Sequence, residues 1–267
     1  MSPASGRRPT DMTDRGMDSG YADVNGLHMY YEIHGDEGTP LVLLHGGVMT
    51  IDLNWAGLVP TLAKKHRVIG VEFQAHGHTA DIDRDLTYAN LAGDVVGLLD
   101  HLGIGRAHVM GHSMGGGTTL ELAVHHPDRL LSVVPISASV RPAGSHPDLA
   151  DPATYATSTI MPTEQDFADM AKAYARVAPH PERFEDLPVR SMTSMQGWTG
   201  WTDEQLAAVT APTLIVQGDH DFTLNDHAAL MQRLIPGSWL AILPGTTHMQ
   251  ATRRADLLLP MLAAFLD

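Results

Sequence analysis

The sequence predicts an α/β fold: a mainly parallel, doubly wound sheet with a small helical cap inserted into it. Three observations carry this. Short apolar runs alternate with segments of helical period along most of the 267 residues, and that rhythm implies βαβ units. The runs themselves, Leu41 to Leu44 among them, are continuous instead of alternating, which suits strands covered on both faces. From residue 141 to 209 the rhythm breaks into a Pro-, Met- and aromatic-bearing stretch too interrupted for a core of its own.

The elements follow in order. Residues 1–20 are polar and rich in Gly, Ser and Pro, and are expected to be a disordered tail; the core is expected over 21–140 and 210–267, with the cap at 141–209. YADVNGLHMYYEIHG reads as two strands joined at Asn25-Gly26, residues that accept the positive φ of a tight hairpin. Leu41 to Leu44 and Arg67 to Phe73 are buried strands ending in Gly/His loops. Thr87 caps a helix reaching Leu102, where Leu91, Val95, Leu98 and Leu99 share a face. A strand at Ala107 to Gly111, a helix ending near His126 before Pro127, and a strand at Leu130 to Ile136 continue the alternation. Within the cap the spacing predicts one helix, Glu164 to Val177. The sheet resumes at Pro212 to Gln217, followed by a helix at Asn225 to Leu234, a strand at Trp239 to Leu243 and a last helix from Arg254.

Composition narrows the function. Seventeen Lys and Arg against 31 Asp and Glu give a net charge of −14, a field that repels nucleic acid and anionic membranes and favours a small neutral ligand. Cysteine is absent, which excludes disulfides, thiolate catalysis and cysteine-bound zinc. No run of about eighteen apolar residues marks a membrane span, and no secretory signal is legible; a cytoplasmic protein is expected, and a homodimer is compatible with the sequence.

GHSMGG, residues 111–116, matches Gly-x-Ser-x-Gly around Ser113. It follows a predicted strand and opens a predicted helix, the setting of a nucleophile elbow. A serine needs a base to take its proton and a third group to orient that base. Reactive groups in such sheets collect where strands end, and His248 in LPGTTH best meets that condition. VQGDHDFTLND offers Asp219, Asp221 and Asp226 as acids. A metal reading of its Asp-His-Asp cluster adds no chemistry that the serine constellation lacks, so neither a metal nor a cofactor is expected.

Together the order HGG, GHSMGG, GDHD and PGTTH resembles the α/β-hydrolase fold family, of the serine esterase and lipase-like kind, over roughly residues 21–267. The resemblance implies Ser113, Asp221 and His248 as catalytic triad, the acid because the family's Gly-x-x-Asp falls on Gly218 to Asp221. Asp219 is then expected to stabilise its turn, and Asp226 to complement the dipole of the next helix. The resemblance further implies an oxyanion hole from the Gly47 and Met114 amides. The sequence departs from the family pattern at Gln74-Ala75 and at Thr247, both at the expected pocket rim. His76 and His78 are expected as a solvated or hydrogen-bonded loop pair rather than a metal pair.

The implied reaction is hydrolysis of a small to medium, fairly apolar carboxylic ester through an acyl-enzyme. Carbon–carbon cleavage, lactone opening and perhydrolysis use the same triad, and a hydrolase-like receptor of small molecules would keep it. Ser113 at the elbow disfavours dehalogenase and epoxide hydrolase relatives, which place aspartate there. The expected pocket includes Gly46, His45 (which bonds loop backbone), Met161, Met195, Trp198 and Trp201; Met170 and Met192 are further apolar candidates.

Overall fold

The computed structural model describes residues 17–194 and 197–266. Its eight strands form one sheet in the order β1-β2-β4-β3-β5-β6-β7-β8. They are β1 (Met17–Val24), β2 (Leu27–His34), β3 (Thr39–Leu44), β4 (His66–Val71), β5 (Ala107–His112), β6 (Leu130–Ile136), β7 (Leu214–His220) and β8 (Trp239–Thr247). β2 runs antiparallel to β1 and β4, and every pairing from β4 to β8 is parallel. The hairpin turns at Asn25 (φ 48°) and Gly26 (φ 82°). β1 corrects one expectation: residues 17–20, expected in the tail, pair with Tyr31 to His34. Met17, Asp18 and Ser19 are exposed on an edge strand, so the ladder and not burial orders them, and composition alone misreads them. Residues 1–16 of the expected tail lie outside the described residues.

The continuous apolar strands have the predicted cause. Leu41 and Leu43 join a core with Ile51, Trp55, Leu58, Leu258 and Leu262, whereas Val42 and Leu44 join another with Leu91, Val95, Leu98, Leu120 and Met231. Alternate residues of one strand thus serve opposite layers. One layer holds α1 (Ile51–Trp55), α2 (Val59–Leu62) and the final helix; the other holds α3 (Tyr88–His101), α4 (Met114–His125) and the helix at Asn225–Leu234. Thr87 caps α3 by accepting from the Asn90 amide. α1 and α2, of five and four residues, are too short to show a period and were not expected.

Between β6 and β7 lie α5 (Glu164–Val177), α6 (Asp186–Ser194), α7 (Asp203–Ala207) and several 3₁₀ turns. α5 has the predicted bounds and opens with a reciprocal Thr163–Asp166 capping box. Met170 packs with Met49 and Met249. Arg190 donates to the Ile82 and Arg84 carbonyls and pairs with Asp81 at 2.9 Å. The inserted segment therefore rests on loops that leave β3, β4 and β8. α8 (Asn225–Leu234) and α9 (Ala255–Leu266) complete the order. Among the described residues no helix is long and apolar enough to cross a membrane.

Candidate active site

Strands β5 to β8 each deliver one polar side chain to the same end of the sheet. β5 delivers Ser113, held at φ 54° and ψ −113°, a strained conformation for a residue with a Cβ. Two backbone bonds fix it: its amide donates to the Ile136 carbonyl at 2.8 Å, and its carbonyl accepts from the Gly117 amide at 2.9 Å. The flanking glycines are steric necessities. A Cβ on Gly111 would lie 2.1 Å from the Gly115 carbonyl oxygen, and one on Gly115 2.2 Å from that of Leu44. The Ser113 hydroxyl makes no capping bond and faces a cavity of about 400 Å³.

β8 delivers His248, whose Nδ1 lies 2.6 Å from Asp221 Oδ1. Donation from Nδ1 to a carboxylate leaves the lone pair on Nε2, and His248 lines the same cavity as Ser113. Phe222 stacks on the imidazole with centroids 3.8 Å apart, and the His248 carbonyl accepts from His112 Nε2 at 3.0 Å. The ring is held on both sides.

Asp221, just beyond β7, is fully buried. Besides His248 it accepts from the Phe222 amide at 2.7 Å, the Gly218 amide at 3.1 Å and the Ser137 hydroxyl at 2.5 Å. Burial pushes its carboxyl upward, but the charge and hydrogen bond of His248, with those of Ser137 and Gly218, outweigh it and hold the group below the usual carboxylate range. Asp219 plays a different part. It accepts from the Gly245 and Thr246 amides at 2.9 and 2.8 Å, so it ties down the loop that carries His248. Those two bonds keep its carboxyl low. Asp226 is exposed in the first turn of α8.

The Gly46 to Val48 loop completes the floor. His45 donates from Nδ1 to the Gly46 carbonyl at 2.7 Å and accepts on Nε2 from the Phe73 amide. His76 accepts on Nε2 from the Val48 amide at 3.0 Å. Burial lowers His76 to about 4 and His45 well below the ordinary histidine value, so both rings are neutral struts. Gly47 and Met114 line the cavity. Met114 opens α4, where an amide has no acceptor within the helix, and among the described residues the Gly47 amide has no acceptor. Two unengaged N–H groups therefore flank Ser113.

Some features were not foreseen. Asn54 accepts from the Gly46 amide at 2.8 Å, donates to Thr252 at 3.1 Å and meets His112 at 3.2 Å; it joins the loop, the elbow and the turn after His248. Ser137, at φ 54°, follows β6. Neither lies in a recognisable motif, though Ser137 directly follows a predicted strand end. Of the expected pocket residues, Gly46 lines the cavity with Met49, Met170, Phe167, Phe222 and Tyr88. His45 is buried behind the loop. Trp201 is pinned outside the wall by donating to Glu121 at 2.9 Å and stacking on Tyr88, with Trp198 edge-on to both. Met161 lies outside the wall, and Met195 lies outside the described residues. His78 pairs with buried Glu72 at 2.8 Å. Among the described residues no group of three or more His, Asp or Glu is placed to hold a metal ion.

Residues 39–164 match the family described as alpha/beta hydrolase fold. Over 119 residues the chain is 40% identical to the dihydrolipoyllysine-residue acetyltransferase component of the acetoin cleaving system of Pseudomonas putida, covering 44% of this chain and 32% of that protein. Over 122 residues it is 36% identical to a provisional carbamate hydrolase, RutD, of Caulobacter vibrioides, covering 45% of each. The chain thus spans a third to under half of the length of these curated relatives. The enol-lactonase of Burkholderia xenovorans LB400 superposes over 92% of this chain and 99% of its own with a TM-score of 0.70, at 24% identity. The matched segment, which holds the serine elbow, and the superposition over nearly the whole of that solved structure agree in the fold: the chain has the α/β-hydrolase fold.

Proposed function

We propose that the protein is a serine hydrolase that cleaves a small to medium carboxylic ester through an acyl-enzyme. One observation carries the reading: the buried His248–Asp221 pair opens onto the cavity that Ser113 and two unengaged amides line. Ser113 Oγ attacks the ester carbonyl as His248 Nε2 takes its proton. Asp221 keeps the ring in that tautomer and stabilises the imidazolium. The amides of Gly47 and Met114 receive the oxyanion. His248 returns the proton to the leaving alcohol, then draws one from water, which attacks the acyl carbonyl and frees Ser113.

The residues between β6 and β7 act as the cap. Phe167 and Met170 on α5 roof the cavity, which no Lys or Arg lines, so an uncharged substrate fits better than a dienoate bearing a carboxylate. The names of the relatives, a carbamate hydrolase, an acetyltransferase component and an enol-lactonase, agree in reaction at a carbonyl attached to a heteroatom. Lactone opening is accordingly the second reading.

The test is turnover of p-nitrophenyl acyl esters of graded length and of a γ-lactone by the wild type and by Ser113→Ala. Multiple turnovers lost in the variant, with an unchanged melting temperature, are expected. A single stoichiometric burst in the wild type would make the protein a receptor, and full activity in Ser113→Ala would remove the serine from the mechanism.

A further inference from the structure

The three glycines after the elbow meet three different neighbours. Gly115 passes the Leu44 carbonyl, and a Cβ on Gly116 would lie 2.8 Å from the Ala138 side chain and the Ile136 carbonyl. A Cβ on Gly117 would lie 2.2 Å from Tyr88 Cζ and 2.6 Å from its hydroxyl. The third glycine therefore admits a phenol against α4, one turn beyond Ser113. Tyr88 opens α3, stacked on Trp201 (5.8 Å, 23°) and edge-on to Trp198 (5.2 Å, 86°). Trp201 is itself fixed to Glu121, so the ring has little freedom to turn away.

The hydroxyl that this packing holds in place has no hydrogen-bond partner among the described residues, and Tyr88 lines the cavity. Tyr88 is only partly buried, so its hydroxyl is open to a partner supplied from the cavity. Burial raises the phenol to about 12, so it stays a neutral donor. The same wall holds a second hydroxyl without a partner, that of Ser191 on α6, which unlike Tyr88 is buried. Two orphan donors in a cavity without cationic residues match a neutral oxygen acceptor.

We propose that Tyr88 and Ser191 form a polar subsite that hydrogen-bonds an ether, hydroxyl or carbonyl oxygen carried by the substrate away from the reacting carbonyl. The enzyme then prefers an oxygen-substituted ester over its plain alkyl counterpart. This rests on the hydrolase reading of the same cavity.

The test uses two pairs of esters matched in length, one with an ether oxygen replacing a methylene in the acyl chain, the other with that replacement in the alcohol chain. The wild type should favour the oxygenated member of at least one pair in kcat/KM. Tyr88→Phe, which keeps the ring packing, should reduce that preference about tenfold, and Ser191→Ala should reduce it as well. The same comparison is made by calorimetric binding to Ser113→Ala and to Ser113→Ala/Tyr88→Phe. A subsite remains measurable there even if the wild type turns nothing over, an outcome that refutes only the hydrolase reading. No preference in the wild type, or a Tyr88→Phe that affects both members of each pair equally, overturns the proposal.

Discussion

Ser137, just past β6, donates its hydroxyl to Asp221 Oδ2 at 2.5 Å, just past β7. The serine adopts φ 54° to do so, and its amide is anchored to the Val216 carbonyl at 2.8 Å. In the proposed mechanism it positions the acid. Ser137→Ala and Ser137→Gly should both lower kcat about tenfold with little change in KM. Glycine, free of the strain at positive φ, should leave the higher melting temperature. Full kcat in the glycine variant would show that the hydroxyl is only structural.

Asp221 and Asp219 differ by two positions and by what they hold. Asp221→Asn should lower kcat by about three to four orders of magnitude, because an amide favours the wrong imidazole tautomer. Asp219→Asn removes a carboxylate that binds only loop amides and should cost less than about tenfold. Comparable losses from both would mean that the acid is shared.

The elbow predicts a steric contrast. Gly111→Ala drives a Cβ into the Gly115 carbonyl and should cost about 3 kcal/mol or more in urea unfolding. Gly105, exposed and with open space at its Cβ, should accept alanine within about 0.5 kcal/mol. Equal tolerance at the two positions would contradict the close packing of β5 on α4.

Buried neutral histidines set the acid limit of stability. His76 and His108 are lowered to about 4 and His112 to about 3, chiefly by burial, and His45 lies lower than its ordinary value for the same reason. A group lowered in the folded state binds its proton first in the unfolded chain. Its contribution is fully present above the unfolded value of about 6.5 and is lost as pH falls toward the folded values. His78, raised mainly by its hydrogen bond to Glu72, works in the opposite sense but alone. Urea midpoints should therefore fall steeply from pH 7 to 5, with roughly four protons taken up on unfolding at pH 5. A flat profile over that range would refute the neutral burial of these rings.

Much of this was readable because the sheet imposes it. Continuous apolar runs announce strands covered twice, and the glycines around Ser113 announce a backbone that admits no side chain. The hidden parts are of two kinds. Asn54 and Ser137 act through single hydrogen bonds to distant segments, and no local pattern distinguishes such an asparagine or serine from a solvated one. Trp198 and Trp201 were expected in the wall because large apolar residues in a cap suggest contact with ligand. Trp201 is instead saturated by Glu121 and Tyr88, and it is the tyrosine, placed by sequence at an ordinary helix start, that reaches the cavity.

The row of side chains from β5 to β8 also fixes when the site can exist. Asp221 and His248 meet only after the last strand has docked beside its neighbour, whereas the Ser113 elbow depends on strands far earlier in the chain. In the proposed mechanism, synthesis therefore delivers the segments that shape the nucleophile before the one that carries its base, and activity requires that β8 has docked.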